Sequence, residues 1–372
     1  ETGSTMTQKT TYDIAIIGGG IMGCATALQV TQGGMSAIVL DQGDLGQGAS
    51  GVNAGTLSLQ IKRVKLMPYA LKGHYLWEQM GDAVGFAKTG GYTLAFNGRE
   101  ADMLQERQTL KAQAGAPIEF VSNNRLRAAE PNLTQKVEAA SFCAEDGYAN
   151  SSLTGQYYRG RLRDAGIPYR EGCKVTAIDR DAGFALHTNS EPIYATRILL
   201  AAGAWLKPLA ALLGVDLPVN ARVNTVSVTE RMPHLMGSVI GHATGLLTMK
   251  QKANGTVLIG GGWQGLGTPQ DRRGTVNADT VKPNLALAQY AVPALATARV
   301  TRSWTGFEAN VPDFYPLAGA LPGVPDAYVL GCVRGGYTIG PYIGQLMGDS
   351  ILGKEPEMPL FDPGRDFEKD TI

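Results

Sequence analysis

Cysteine is scarce in this chain. Cys24, Cys143, Cys173 and Cys332 are the only four among 372 residues, and no two form a C-x-x-C pair. That excludes a zinc knot and a disulfide framework, and it predicts free thiols in a reducing compartment. Histidine is just as sparse. His74, His187, His234 and His242 are scattered without ligand spacing, so no metal site is expected and each histidine reads as structural or surface. Neither sign of charge is in excess, with 33 basic and 33 acidic residues. No basic surplus draws nucleic acid, and no run of like charge forms a binding tail. No apolar run is long enough to span a bilayer, and no signal-peptide core precedes the first apolar segment. A soluble cytoplasmic protein is the expectation. Residues 1–5, ahead of Met6, read as an expression remnant outside the fold.

Glycine, by contrast, is abundant at 48 residues, without a short repeat. Such a composition suits many tight turns and close approaches of backbone to ligand. Residues 12–17 (YDIAII) form a short apolar run suited to a buried parallel strand. Gly18, Gly20 and Gly23 follow as G-x-G-x-x-G, then a stretch of small residues fit for a helix. Residues 37–40 (AIVL) read as a second strand, ending in Asp41. Strand, glycines, helix, second strand and terminal acid occur in the order that a dinucleotide fingerprint requires. The glycines allow the tight turn and the approach to pyrophosphate, and the helix N-terminus stabilises its charge. Asp41 lies near the spacing of an acid that binds a ribose 2′-OH. It argues against NADP but does not separate NAD from FAD.

After Asp41 comes QGDLGQGASGVNAG, dominated by small residues. Here the sequence resembles the D-amino acid oxidase-like family of FAD enzymes, in the branch of glycine oxidase, sarcosine oxidase and amine dehydrogenase flavin subunits. The resemblance implies that Gly48, Ala49, Ser50, Asn53, Ala54 and Gly55 pass near the pyrophosphate and flavin. Residues 171–179 (EGCKVTAID) resemble the strand whose backbone, here at Val175, meets the adenine. Residues 197–205 (RILLAAGAW) resemble a strand followed by A-x-G-x-W, which implies Ala202, Gly203 and Trp205 beside the cofactor. Residues 328–344 (YVLGCVRGGYTIGPYIG) resemble the final strand, glycine turn and helix. Gly335, Gly336, Tyr337 and Thr338 would then face the flavin, whose reduced charge the helix dipole stabilises. A Rossmann NAD dehydrogenase would explain the N-terminus but not this late glycine cluster.

The expected fold class is α/β: a discontinuous Rossmann-type FAD-binding domain (residues 12–86, 144–215 and 305–358) with a second, mainly antiparallel β substrate domain (87–143 and 216–304). Residues 1–11 and 359–372 are tails. Within the second domain, Asn254-Gly255 between two strand-like runs is a hairpin signal.

The resemblance implies oxidation of a C–N bond of an amine or N-substituted amino acid by hydride transfer to flavin, with a small-molecule substrate. Alternatives are the flavin subunit of a multicomponent amine or opine-type dehydrogenase with an electron-accepting partner subunit, a hydroxy-acid or polyol phosphate dehydrogenase of related fold, and a noncatalytic flavin protein. Arg334 matches an arginine that holds substrate in glycine oxidase, and its planar fork suits a carboxylate. Glu308 departs from the family pattern W-x-G-x-R-x-x-x-x-D, where the second carboxylate-binding arginine stands. A glutamate there suits an ammonium instead; the alternative is a structural ion pair with Arg334 or Arg302. Gly306 stands where sarcosine oxidase relatives carry the cysteine that binds flavin, and residues 50–53 lack the histidine used by others, so FAD is expected to be noncovalent. Leu258 stands near the family's oxygen-activating lysine, which favours a dehydrogenase over an oxidase. Lys62, Arg63 and Lys65 read as a solvated basic loop, with contact to flavin, substrate or partner as the alternative.

Overall fold

The computed structural model describes residues 10–332 and 334–367; residues 1–9, Val333 and residues 368–372 lie outside the described residues. The proposed expression remnant, most of the first tail and the end of the second therefore have no structural account.

The apolar run at the N-terminus becomes strand Thr11–Ile17, and its Ile14, Ala15 and Ile16 are fully buried. It pairs in parallel with Ala37–Leu40 on one side and with Ile193–Leu200 on the other. Continuous apolar runs are what a parallel sheet covered on both faces demands. The parallel set continues to Tyr169–Arg170 beyond one neighbour and to Ala327–Gly331 beyond the other. An antiparallel hairpin, Val175–Asp181 with Gly183–Thr188, joins at the start of Ile193–Leu200. Helix Ile21–Gln32 and the last helix, Gly336–Ile351, pack closely against each other. Gly344 makes that approach feasible: a Cβ there would lie 2.6 Å from the Cβ of Ala25 and 2.9 Å from the Met22 carbonyl oxygen. Thr26 Oγ1 donates across the contact to the Gly344 carbonyl at 3.0 Å.

The second sheet has eight strands in the order Val300–Asn310, Asn220–Arg231, Thr256–Gly260, Thr248–Gln251, Val239–His242, Gly91–Ala95, Ala139–Cys143 and Ile118–Val121. Every pairing is antiparallel except Val239–His242 with Gly91–Ala95, the seam between its two chain segments. The Asn254-Gly255 turn joins Thr248–Gln251 to Thr256–Gly260, with Gly255 at φ +88°. Strand Val300–Asn310 runs along Asn220–Arg231 from Val300 to Asn310, so this layer extends past the boundary expected after Trp304. Pairing with Asn220–Arg231 carries the layer to Asn310. Helix Gly98–Gln113 packs on this sheet through Leu104, against Ala95 and Ala243. A Rossmann-type layer and a mainly antiparallel β layer thus make up the α/β fold. A three-stranded sheet, Thr56–Leu57, Gly147–Tyr148 and Ala87–Lys88, is formed by the segments that run between them.

Candidate active site

The glycine fingerprint folds into a turn that only glycine fits. Gly18 has φ +123°, and a Cβ there would lie 2.2 Å from the Ala201 carbonyl oxygen. Gly23 packs behind it, where a Cβ would come within 2.0 Å of the Gly18 carbonyl oxygen. Gly23 therefore serves the strand–helix contact and does not line the cavity beyond, whereas Gly18 and Gly20 do. Helix Ile21–Gln32 starts at Gly20 with no side-chain cap. Its Ile21 amide donates to Ser50 Oγ at 3.0 Å, which docks the second glycine-rich segment onto the first. Asp41 accepts from the Gly19 amide through Oδ2 and from the Gly43 amide through Oδ1, both at 2.8 Å. Burial raises its pKa despite those two bonds.

The segment after Asp41 forms the short helix Ala49–Val52. Asn53 closes it, donating through Nδ2 to the Ala49 and Ser50 carbonyls and accepting the Gly55 amide on Oδ1. Gly48, Ala49, Ser50, Asn53 and Ala54 line the cavity; Gly55, at φ +72°, turns away against the Ala149 carbonyl. Val175 also lines it, as do Ala202, Gly203 and Trp205. Trp205 is held by its indole N–H, which donates to the Pro269 carbonyl at 2.9 Å. Gly335, Gly336 and Tyr337 line it at the start of the last helix, which has no side-chain cap and begins from Gly335 at φ +72°. Thr338 is fully buried behind them, outside the lining.

These residues surround one cavity of about 1320 Å³. A single small-ligand site takes roughly 300–1,000 Å³, so there is room for a large cofactor and a second molecule. Two uncapped helix N-termini open onto it, with a carboxylate at one end. That donor set fits FAD: amides for the pyrophosphate, Asp41 for the ribose, and the last helix for the flavin's electron-rich edge.

The other wall is charged. Arg334 opens onto the cavity and reaches the second sheet, where a Cβ on Gly262 would lie 3.4 Å from its guanidinium. Burial lowers its pKa, and the Glu308 carboxylate opposes that shift. Glu308 also lines the cavity, and its Oε1 is buried without a hydrogen-bond partner. Among the described residues no ion pair joins Glu308 to Arg334 or to Arg302, whose guanidinium instead lies 5.4 Å from the Trp304 ring. Lys62 is 4 % exposed and donates to the Gly335 carbonyl at 2.9 Å. Burial lowers its pKa to about 8, against the pull of Glu308 and Asp146. Lys62 is therefore not part of a solvated loop, whereas Arg63 is half-buried and Lys65 is exposed. Arg63 lies over Phe314 and Tyr315, and Lys65 over Tyr315.

Sequence reasoning passed over the residues that extend the cavity beneath the second sheet. Gln60, Arg107, Gln108, Lys111, Thr225 and His242 all line it. Leu258 does not line the cavity; it is the cross-strand neighbour of Lys250. Lys250 is 1 % exposed and donates to Thr56 Oγ1 at 2.5 Å.

Comparison with known proteins agrees with this geometry. The chain is 28 % identical over 340 residues to a subunit of opine oxidase from Rhizobium meliloti, covering 87 % of this chain and 89 % of that protein. It is 28 % identical over 366 residues to glycine oxidase of Geobacillus kaustophilus (strain HTA426), covering 94 % and 95 %. The crystal structure of glycine oxidase from Geobacillus kaustophilus superposes with a TM-score of 0.88 at 24 % identity, over 96 % of this chain and 100 % of that one, which shows the shared fold. The model of the FAD dependent oxidoreductase family, DAO, matches residues 13–350, and the chain belongs to that family.

Proposed function

We propose that the protein oxidises a C–N bond of an amine or N-substituted amino acid. The observation that carries this reading is the pair Arg334 and Glu308, opposite in charge, facing the same cavity as the FAD cradle, and not bonded to each other. Bound FAD supplies a two-electron acceptor for the hydride. Arg334 binds the substrate carboxylate through its planar fork. Glu308 holds the amine, whose nitrogen must be close to a charge-compensating group as the C–N bond is oxidised. The names of both relatives, an opine oxidase subunit and a glycine oxidase, support a substrate with nitrogen next to a carboxylate-bearing carbon.

The similarity to a protein named as a subunit supports a second reading for the electrons' exit. In it the flavin is reoxidised through a partner subunit rather than by dioxygen. An anaerobic screen of amines and N-substituted amino acids tests the first reading: bleaching of the bound flavin by such compounds is expected, and bleaching by hydroxy acids alone would refute it. Reoxidation by air without a partner, as fast as turnover, would refute the second.

A further inference from the structure

Lys250 is a buried cation without a counter-ion. It is 1 % exposed, and no acidic residue offsets the cost of its burial. Burial lowers its pKa to about 7, and the neighbouring charge that acts on it is another lysine, Lys252, which lowers it further. Lys252 itself lies 5.8 Å from the centre of the Tyr148 ring. Burying an uncompensated charge is costly, so folding alone gives no reason for a lysine at this position.

Its place in the second sheet supplies one. Thr248 and Lys250 alternate onto the same face of strand Thr248–Gln251. Thr248 pairs with Gly260, and both line the cavity; Lys250 pairs with Leu258, one step further along that face. Lys250 does not line the cavity, but its Nζ donates to Thr56 Oγ1 at 2.5 Å, and Thr56 does. Thr56 directly follows the glycine-rich segment of the FAD cradle. Its strand, Thr56–Leu57, packs against the last helix, whose N-terminus opens onto the same cavity. That strand is held: the Leu57 carbonyl accepts from His74 Nε2 at 3.0 Å. An ammonium has no lone pair, so in the bond with Lys250 the Thr56 oxygen can only accept. Its own hydroxyl hydrogen must go elsewhere, and it meets no acceptor among the described residues. The adjacent positive charge also makes that O–H a stronger donor.

We propose that Lys250 is a positioning residue that sets the Thr56 hydroxyl as a hydrogen-bond donor to the flavin ring of bound FAD. Lys250 does not touch the cofactor; it acts through Thr56. A donor polarised by a cation favours the ring in the state that carries more negative charge, which is the reduced state. The pair therefore raises the flavin's reduction potential, in the same sense as the N-terminus of the last helix. The assignment needs FAD in the cavity and is independent of the substrate and of the C–N reading.

The two-electron reduction potential of the FAD-loaded protein tests the pair. It is measured against a reference dye, without substrate, at about pH 6, where the ammonium form of Lys250 prevails. Thr56→Val removes the hydroxyl at nearly constant shape. It should shift the balance about tenfold toward oxidised flavin, a fall of about 30 mV for a two-electron couple. Lys250→Met should shift it in the same direction, and the double variant no further than Thr56→Val alone. Thr56→Ser, which keeps the hydroxyl, should hold the wild-type potential. FAD dissociation constants, taken on each variant by fluorescence quenching, keep loss of cofactor apart from a change in potential. An unchanged potential in Thr56→Val would overturn the contact with the flavin. Lys250→Met at the wild-type potential, or falls that add in the double variant, would overturn the action of the lysine through Thr56. If Lys250→Met does not fold, Thr56→Val set against Thr56→Ser still decides whether the hydroxyl meets the ring: equal potentials in the two would overturn it.

Discussion

Lys62 Nζ donates to the carbonyl of Gly335 at 2.9 Å, joining residues far apart in sequence at the start of the last helix. Gly335 holds a left-handed conformation that opens an uncapped helix N-terminus onto the cavity. The ammonium thus clamps the turn that presents those amides. Lys62→Met should weaken FAD binding by about tenfold, because a buried carbonyl loses its charged donor. Flavin fluorescence quenching on reconstitution measures it. Wild-type affinity in the variant would mean that the turn holds its shape without the lysine.

Asp41 bonds the Gly19 and Gly43 amides and faces the cavity. Asp41→Ala should lower FAD affinity about ten- to a hundredfold, through the lost charge-assisted bond to the ribose. The same reconstitution assay decides it. An unchanged dissociation constant would remove Asp41 from the cofactor site.

The fingerprint was legible because its logic is local: strand, turn, helix and acid lie within the first 41 residues, and each glycine has a steric reason in the turn. The order of the later motifs likewise carried the discontinuous layout. Lys62 was not legible. Two further cations, Arg63 and Lys65, follow it within three residues, and its burial shows only in the tertiary contact with Gly335. Gln108 and Lys111 were hidden for the same reason. A charged helix looks solvated until the position of the sheet beneath it is known. The full length of Val300–Asn310 was also obscure, since its end is set by pairing with Asn220–Arg231 rather than by a breaker.

Flavin should leave the protein on acid precipitation. The family resemblance sets Gly306 where sarcosine oxidase relatives would carry the flavin-binding cysteine, and a Cβ there would lie 2.4 Å from Val52 Cγ2. Val52 is fixed in turn by its carbonyl, which accepts the Trp304 indole N–H at 2.7 Å. A side chain at 306 cannot enter without moving that contact. Yellow supernatant with the absorbance of free FAD is the expected result; flavin retained by the pellet would refute noncovalent binding.

Lys250 carries a pH signature. It is buried with one neutral acceptor, and burial lowers its pKa to about 7. The unfolded chain keeps the lysine protonated to roughly pH 10.4, so between about pH 7 and that value it binds more protons than the folded state. Stability contributed by this group therefore rises with pH across that window. Lys250→Met should be more stable than wild type near pH 6, by on the order of a few kcal/mol, and the advantage should shrink toward pH 10. Buried Cys24 and Cys143, whose pKa values are pushed up, pull the other way at high pH, so the difference between the two proteins is the quantity to follow. Urea unfolding midpoints of the FAD-loaded proteins at several pH values give it. A pH-independent difference would show that Lys250 does not titrate differently on folding.

The last expectation concerns Arg334 and Glu308, which both line the cavity and which the proposed function sets at the substrate carboxylate and nitrogen. Neither has a hydrogen-bonding partner among the described residues, and the buried Oε1 of Glu308 would be costly to leave bare unless a ligand donor meets it. Arg334→Ala should raise KM for carboxylate-bearing amines by about ten- to a hundredfold, while carboxylate-free amines are affected far less. Glu308→Arg places a second guanidinium at the proposed ammonium position. It should shift preference toward compact acids such as glycine and sarcosine, whose carboxylate could then be gripped from two sides. Steady-state kinetics on a panel of amino acids, N-substituted amino acids and simple amines, with FAD content measured alongside, separates these effects from cofactor loss. If both variants keep the wild-type rank order of substrates, the two residues do not contact the substrate. The charge pattern of the wall would then be structural.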